Sequence, residues 1–214
     1  MLRRVTLALI LLAGLSSRSI AQERFPRLPA RHNTWTSLTV GLYRLPTIFD
    51  PASGADWDFG NIVQFRGTLE RDFQRGTSLG VAVTYARAPL TYDGPDCIEC
   101  DADVALWQAL ALFRIGGGTF GLHQIIEIGA GVTGFANFQQ RGGGRLAAES
   151  VVDPTVSIGY GLGYALSPST QFTLLQEVGL MVHRRGDRAA GDESNVPSTY
   201  ATRIGLRFGL GGRR

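Results

Sequence analysis

Large apolar residues alternate with small or polar residues over much of the chain. In the segment TYATRIGLRFGL, at 199–210, every second residue from Tyr200 to Leu210 is large except Thr202, and the residues between are alanine, glycine or arginine. A β-strand places successive side chains on opposite faces, so this segment predicts a strand with one apolar and one polar face. The same criterion predicts eight strands, at 34–44, 61–71, 77–87, 103–114, 122–136, 154–166, 171–183 and 199–210.

The connections between these strands alternate in length. Four long connections hold 15 to 17 residues, at 45–59, 88–102, 137–153 and 184–198. Three short connections hold four to seven residues, at 72–76, 115–121 and 167–170. Long and short connections therefore lie at opposite ends of an up-and-down arrangement of antiparallel strands.

The two faces of the strands differ in size as well as in polarity. One face carries Leu, Ile, Val, Tyr and Phe, and the other carries Gly, Ala, Ser, Thr and a few charges. A soluble barrel would hold its bulky residues inside, which would leave an exterior of Gly and Ala. A membrane barrel inverts this arrangement, because its apolar band meets lipid and small or polar side chains fill its lumen. The pattern favours an all-β, eight-stranded antiparallel up-and-down transmembrane β-barrel, with a soluble periplasmic barrel as the alternative.

The strand at 103–114 fits two phases. Its sequence DVALWQALALFR directs outward either Leu106, Leu110 and Leu112 or Trp107 and Phe113. We expect the first arrangement, in which the three leucines face lipid and the two aromatic residues face the lumen.

The predicted strands direct six charged side chains into the lumen. They are Arg66, Glu70, Glu127, Glu177, Arg203 and Arg207, three of each sign. Four of them, at 66, 127, 177 and 203, lie about six to eight residues from the short-turn end, so they meet near mid-height. Because an unpaired charge is costly in a low-dielectric lumen, we expect these residues to form a neutralised network that closes the lumen.

The first residues have a different composition. Arg3 and Arg4 precede an apolar run at 5–15, and Ser19-Ile20-Ala21 is a small-x-small pattern. These features predict a secretory signal peptide, since a spanning helix needs about 20 apolar residues. The expected domains are a signal peptide, a periplasmic tether, the barrel and a short tail, at 1–21, 22–31, 32–210 and 211–214.

The net charge changes once this segment is removed. The full chain has 21 basic and 18 acidic residues, and loss of Arg3, Arg4 and Arg18 leaves 18 of each. Without a net charge or a basic cluster with interleaved aromatic residues, nucleic acid is not an expected partner.

These features together resemble the small OmpA/OmpX-type outer-membrane β-barrels, over about residues 32–210. The resemblance implies export to the outer membrane, with outer-membrane lipid and the barrel-assembly machinery as partners. The last strand is also similar to that family's assembly signal, in which a polar residue is followed by glycine and two apolar positions, here Arg203, Gly205, Phe208 and Leu210. Family members often end on an aromatic residue, whereas this chain continues from Leu210 into GGRR.

The histidines are the first candidates for catalysis. The chain has His32, His123 and His183, and the topology places the last two near opposite ends of the barrel, up to a membrane thickness apart. Some eight-stranded outer-membrane barrels are lipid A hydrolases with a His-x-Ser pair on a strand, but this chain has HNT, HQI and HRR at these positions. We expect no enzyme and no cofactor.

The two cysteines, Cys97 and Cys100, lie in an acidic segment, DGPDCIECDAD. A metal or redox site is one interpretation, because oxygen-rich loops hold Ca²⁺ and CxxC motifs occur in oxidoreductases. A single CxxC without further ligands is a weak zinc signal, and an exported chain reaches an oxidising compartment. We expect a local disulfide in an exposed loop, and no metal.

The expected function is that of a non-enzymatic outer-membrane barrel that acts through its surface loops or in envelope integrity. A narrow passage for small or apolar molecules and a lipid-modifying enzyme are the alternatives. Side chains nearly fill the interior of an eight-stranded barrel, which disfavours a pore, although inner-face glycines leave some space. The sequence identifies no surface partner.

Overall fold

The computed structural model describes residues 33–74, 76–118, 120–143, 146, 148–183 and 196–211. The expected signal peptide, the tether, His32 and the end of the tail lie outside these residues. Within the described ranges, no helix is long and apolar enough to cross a membrane.

The described residues form ten strands of one antiparallel sheet. They are β1 (Thr34–Arg44), β2 (Ile48–Asp50), β3 (Ala55–Phe59), β4 (Ile62–Gln74), β5 (Thr77–Gly94), β6 (Cys97–Ile115), β7 (Gly121–Gln140), β8 (Val151–Ser167), β9 (Thr170–Met181) and β10 (Ser198–Leu210). Strands β1 and β4 to β10 follow chain order around a barrel, which closes where β1 pairs with β10 and β5 pairs with β6. The predicted eight-stranded up-and-down barrel is confirmed.

The register of the strands sets the width of the barrel. The Cα partners, followed once around from Thr34, lead back to β1 at Arg44, ten residues further along. Eight strands about 4.8 Å apart with this stagger tilt by about 40° and have a backbone radius of about 8 Å. The interior is therefore only as wide as the side chains that fill it.

Large apolar side chains cover the outside of the barrel. Ile158 and Ile204, for example, are 57% and 46% exposed in mid-strand. Aromatic residues border this apolar band at both ends: Tyr85, Trp107 and Tyr200 lie toward the long-loop end, and Phe73 and Phe208 toward the short-turn end. An apolar band between two aromatic girdles is the surface that a transmembrane barrel presents to lipid.

Strand β6 has the opposite phase to the expected one. Leu106, Leu110 and Leu112 are at most 3% exposed and point into the barrel, so the prediction that they face lipid is wrong. Gln108 and Arg114 occupy the same face and are equally buried. In the expected phase Arg114 would face lipid, where an arginine near the bilayer midplane destabilises a barrel by about 2–4 kcal/mol.

The long connections contain more strand than expected. Strands β2 and β3 form a hairpin within the predicted loop 45–59, and β3 pairs with the upper part of β5. Strands β5 and β6 continue as a paired ribbon up to Gly94 and Cys97, so most of the predicted loop 88–102 is also strand. The alternation of ADWDF, at 55–59, buries Ala55, Trp57 and Phe59 and exposes the two aspartates.

Candidate functional site

The lumen contains the six charged residues predicted to face it, and each is at most 5% exposed. Near mid-height, Glu127 Oε1 lies 2.9 Å from Arg66 Nη2 and 3.1 Å from Arg203 Nη2. Glu177 Oε2 lies 2.8 Å from Arg203 Nη2 and 3.3 Å from Arg66 Nη1. The structure thus brings these four residues, from β4, β7, β9 and β10, into one cluster.

Arg114 on β6 is a seventh member of the lumen network, and sequence reasoning missed it. Its Nη2 lies 2.7 Å from Glu127 Oε2 and 3.4 Å from Glu70 Oε1. It therefore joins the mid-height cluster to a second group of charges nearer the short-turn end. The charge of Arg114 is the feature of the sequence that indicates the correct phase of β6, because only that phase keeps this arginine out of lipid.

The second group of charges is centred on Glu70. Its Oε2 accepts hydrogen bonds from Arg207 Nη2 and Ser78 Oγ, both at 2.9 Å, and its Oε1 accepts one from Thr68 Oγ1 at 2.9 Å. The Arg207 guanidinium also lies 4.3 Å from the centre of the Trp35 ring, a cation–π contact. With Arg114 included, the described residues of this network are four arginines and three glutamates, and Asp72 lies 3.8 Å from Arg207 at the short-turn mouth.

A neutral layer lies on the long-loop side of the charges. Gln108 Nε2 donates to Tyr43 Oη at 3.2 Å and to Thr133 Oγ1 at 3.1 Å. The hydroxyls of Thr133 and Thr155 are 2.7 Å apart, within hydrogen-bond distance. This chain of contacts spans β1, β6, β7 and β8, so it crosses the lumen above the ion pairs.

An apolar core fills the long-loop end of the barrel. Trp57 of the β2–β3 hairpin is completely buried, and its ring centre lies 4.8 Å from that of Phe138 and 5.8 Å from that of Phe135. Other large members of this core include Tyr43, Ile48, Phe59, Ile62, Leu90, Tyr92, Leu106 and Met181. The hairpin therefore lies over the mouth of the barrel and packs onto its inner wall.

His183 connects this hairpin to the barrel wall. Its Nδ1 is 2.7 Å from Asp153 Oδ2 on β8, and its Nε2 is 3.6 Å from Asp50 Oδ1 on β2. The ring is 1% exposed and lies edge-on to Trp57, 5.4 Å between centres. Burial alone would lower the pKa of His183, but the two carboxylates outweigh it and raise the pKa to about 9. The imidazole is therefore a cation at neutral pH.

His123 lies far from His183, near the start of β7, where its ring packs against Gly163 and Gly118. The two histidines thus occupy opposite ends of the barrel, as their positions in the sequence predict. Among the described residues, no group of three or more His, Cys, Asp or Glu side chains is arranged to hold a metal ion.

The remaining sequence-predicted residues lie at the surface or at the barrel seam. Cys97 and Cys100 are joined by a disulfide at the tip of the β5–β6 ribbon. In β10, Arg203 faces the lumen and Gly205 lies opposite Thr39 of β1, whereas Phe208 and Leu210 are outward and 39% and 45% exposed. The four positions of the predicted assembly signal are thus divided between the two faces of the closing strand.

No protein-family model matches the chain, and no curated protein matches it. Among solved structures, the chain is similar to neisserial surface protein A, with a TM-score of 0.53 and 12% identity over 83% of this chain and 97% of that chain. It is also similar to the outer membrane protein OprG from Pseudomonas aeruginosa, with a TM-score of 0.54 and 13% identity over 84% of this chain and 96% of that chain. The chain has the fold of the small eight-stranded outer-membrane β-barrels, which confirms the predicted resemblance at the level of fold.

Proposed function

We propose that this chain is a non-enzymatic outer-membrane β-barrel with a closed lumen, which acts at its long-loop surface or in envelope integrity. The exposed apolar band and its two aromatic girdles support insertion into lipid. The fold shared with outer-membrane proteins supports the same location.

The observation that carries this proposal is the lumen network. Ion pairs from β4, β6, β7, β9 and β10 meet across an interior of about 8 Å radius, measured at the backbone. The neutral layer through Gln108 and the apolar core around Trp57 follow in series toward the long-loop end. An ion that entered from either mouth would meet three successive barriers.

The arrangement of the histidines supports a non-enzymatic role. His183 is 1% exposed beneath the β2–β3 hairpin, and both of its nitrogens face carboxylates. A general base must lie within reach of the proton it abstracts, and a substrate at the surface does not reach this ring. His123 is at the other end of the barrel, so the two do not share a site.

We also propose that residues 1–21 are removed on export and that β10 is recognised by the barrel-assembly machinery. The mass of the protein purified from the outer membrane should then correspond to a chain that starts at Gln22. A mature chain that retains residues 1–21 would contradict this part of the proposal.

Reconstitution tests the proposed function directly. The mature protein should partition into detergent and migrate differently on a gel before and after heating, as closed membrane barrels do. In a planar bilayer it should show no steady ion conductance. A protein that stays soluble without detergent would contradict the membrane location, whereas steady conductance would favour the alternative of a narrow passage.

A further inference from the structure

Three polar side chains form a continuous row on the outer face of β8, β9 and β10. Tyr160 and Gln176 are direct Cα partners in the β8–β9 register, and Gln176 and Thr202 are partners in the β9–β10 register. All three are exposed, and all point away from the lumen. Except for Tyr200, the outward residues next to the row on these strands are apolar, and the other outward tyrosines, Tyr164 and Tyr200, lie nearer the two ends of the barrel.

The row lies near the middle of the lipid-facing band. Gln176 is the central one of five outward positions on β9, with Phe172 and Leu174 toward the short-turn end and Val178 and Leu180 toward the long-loop end. Successive outward positions on a strand are about 7 Å apart, so apolar side chains extend about 14 Å along the strand on either side of Gln176. Its amide is therefore far from both membrane–water interfaces.

The amide of Gln176 is only partly satisfied within the chain. Its Oε1 accepts a hydrogen bond from Thr202 Oγ1 at 2.7 Å. Its Nε2 has no hydrogen-bond partner in the part of the chain that the structure describes. Hydrocarbon offers no water to fill this role, and a polar group left unpaired there costs several kcal/mol.

We propose that the outer face of β8 to β10 is an interface with a second copy of this chain, formed around Gln176. This inference rests on the proposed membrane location. A carboxamide has both donors and an acceptor, so two copies related by a two-fold axis satisfy each other, with Nε2 of one donating to Oε1 of Gln176 of the partner subunit. Lipid, or a purely apolar surface of another protein, would leave the N–H donors of Gln176 Nε2 unpaired.

The surroundings of the row fit a flat interface of this kind. Ile158, Val178 and Ile204 are each at least 40% exposed and surround the row with apolar contact area. A shallow apolar groove on the same outer face, lined in part by Ala130, Val156 and Leu180, lies four residues nearer the long-loop end. Membrane-protein interfaces combine such packing with a few hydrogen bonds of polar side chains.

The test measures the oligomeric state of the mature protein in lipid bilayers, by counting photobleaching steps at low protein-to-lipid ratio. The wild-type protein should be dimeric, and Gln176→Leu should weaken the dimer about tenfold or more, because two symmetric hydrogen bonds are lost. Gln124→Leu is the matched control, since Gln124 is also an exposed outward glutamine but lies on β7 near the short-turn end. This control should leave the dimer unchanged.

A cross-linking experiment locates the interface. In a Cys97→Ser, Cys100→Ser background, Val178→Cys, one outward position from Gln176, should form a disulfide-linked dimer on mild oxidation. Val83→Cys, at an exposed outward position on β5, should not.

The possible outcomes separate the two proposals. A protein that inserts into the bilayer but is monomeric overturns the dimer alone, as does a dimer that Gln176→Leu leaves intact or that cross-links only through β5. A protein that does not insert overturns the proposed membrane function itself.

Discussion

Glu127 is the residue on which most of the lumen contacts converge. Its two oxygens lie within 3.1 Å of guanidinium nitrogens of Arg66, Arg114 and Arg203. Each of these arginines also lies within 3.4 Å of a second glutamate, Glu177 or Glu70. Removal of one member therefore leaves its partners buried with fewer opposite charges to neutralise them.

Glu177 and Arg203 test this coupling. We expect Glu177→Gln to lower the free energy of unfolding in detergent by about 3–5 kcal/mol, because Arg203 stays buried without that partner. Adding Arg203→Met should restore part of the loss. A double-mutant cycle by chemical denaturation gives the coupling energy, and simple addition of the two single effects would show that the residues are independent.

The charged residues also show how far the sequence predicts the site. Inward positions were found from alternation alone in β4, β7, β9 and β10, since each of these strands has one bulky face. In β6 both faces contain large residues, so alternation does not decide which face is inward, whereas the position of Arg114 does. The contacts of His183 with Asp50 and Asp153 were not predicted, because they depend on where the β2–β3 hairpin packs.

The disulfide between Cys97 and Cys100 leaves neither sulfur as a free thiol. The exported protein should not react with a thiol reagent until it is reduced. Reduction should lower stability by about 2 kcal/mol or less, because the closed loop is short. Full labelling without reduction, measured by mass spectrometry, would contradict the bond.

Among the elements, the β2–β3 hairpin owes its position to two kinds of contact. Ile48 and Trp57 are completely buried in the apolar core, and Asp50 faces the His183 cation at 3.6 Å. The carboxylate also accepts hydrogen bonds from the backbone N–H groups of Ala52 and Ser53 at 3.2 Å, which order the turn of the hairpin. Loss of the charge on His183 should therefore loosen the hairpin before it affects the barrel.

The pH dependence of the hairpin follows from the pKa of His183. This pKa is raised from 6.5 to about 9, so the stabilisation is fully present below pH 6.5 and is lost as pH rises through about 9. His183→Gln should cost about 3 kcal/mol at pH 6 and little at pH 10. Fluorescence of Trp57 in a background that lacks the other tryptophans would report the change, and an identical pH profile in wild type and His183→Gln would contradict it.

The outer faces of the strands give a prediction of a different kind. Ile158 lies outward in the middle of β8, 57% exposed. Ile158→Arg should cost about 2–4 kcal/mol in lipid, because the charge would lie near the bilayer midplane. Arginine at Asp56, outward on β3 and beyond the apolar band, is the control and should cost little. Equal effects at the two positions would show that the outer face of β8 does not meet lipid.

The whole molecule depends on closure between the first and last strands. Strands β1 and β10 are remote in sequence, yet all eleven residues of β1 have partners in β10. The register of this seam completes the stagger of ten residues that sets the width of the lumen. The ion pair between Arg66 of β4 and Glu177 of β9 spans this seam, so it forms only in a closed barrel.

Gly205 should be the residue most sensitive to substitution at this seam. A Cβ there would lie 2.6 Å from Thr39 Cα and would collide with the carbonyl oxygen of Leu38, both in β1. We expect Gly205→Ala to destabilise the folded barrel by about 1–3 kcal/mol, because the strands must separate to admit the methyl group. Gly159→Ala is the matched control on the inner face of β8, where the nearest atoms to a new Cβ are 3.6 Å away.

The measurement is the fraction of each variant that reaches the compact, heat-modifiable form during refolding into lipid. Gly205→Ala should reach it more slowly and less completely than Gly159→Ala, which should match the wild type. Equal yields for the two variants would show that the seam between β1 and β10 accommodates the added methyl group without strain. A defect seen only in cells, with normal refolding in lipid, would instead indicate that Gly205 acts through recognition by the assembly machinery.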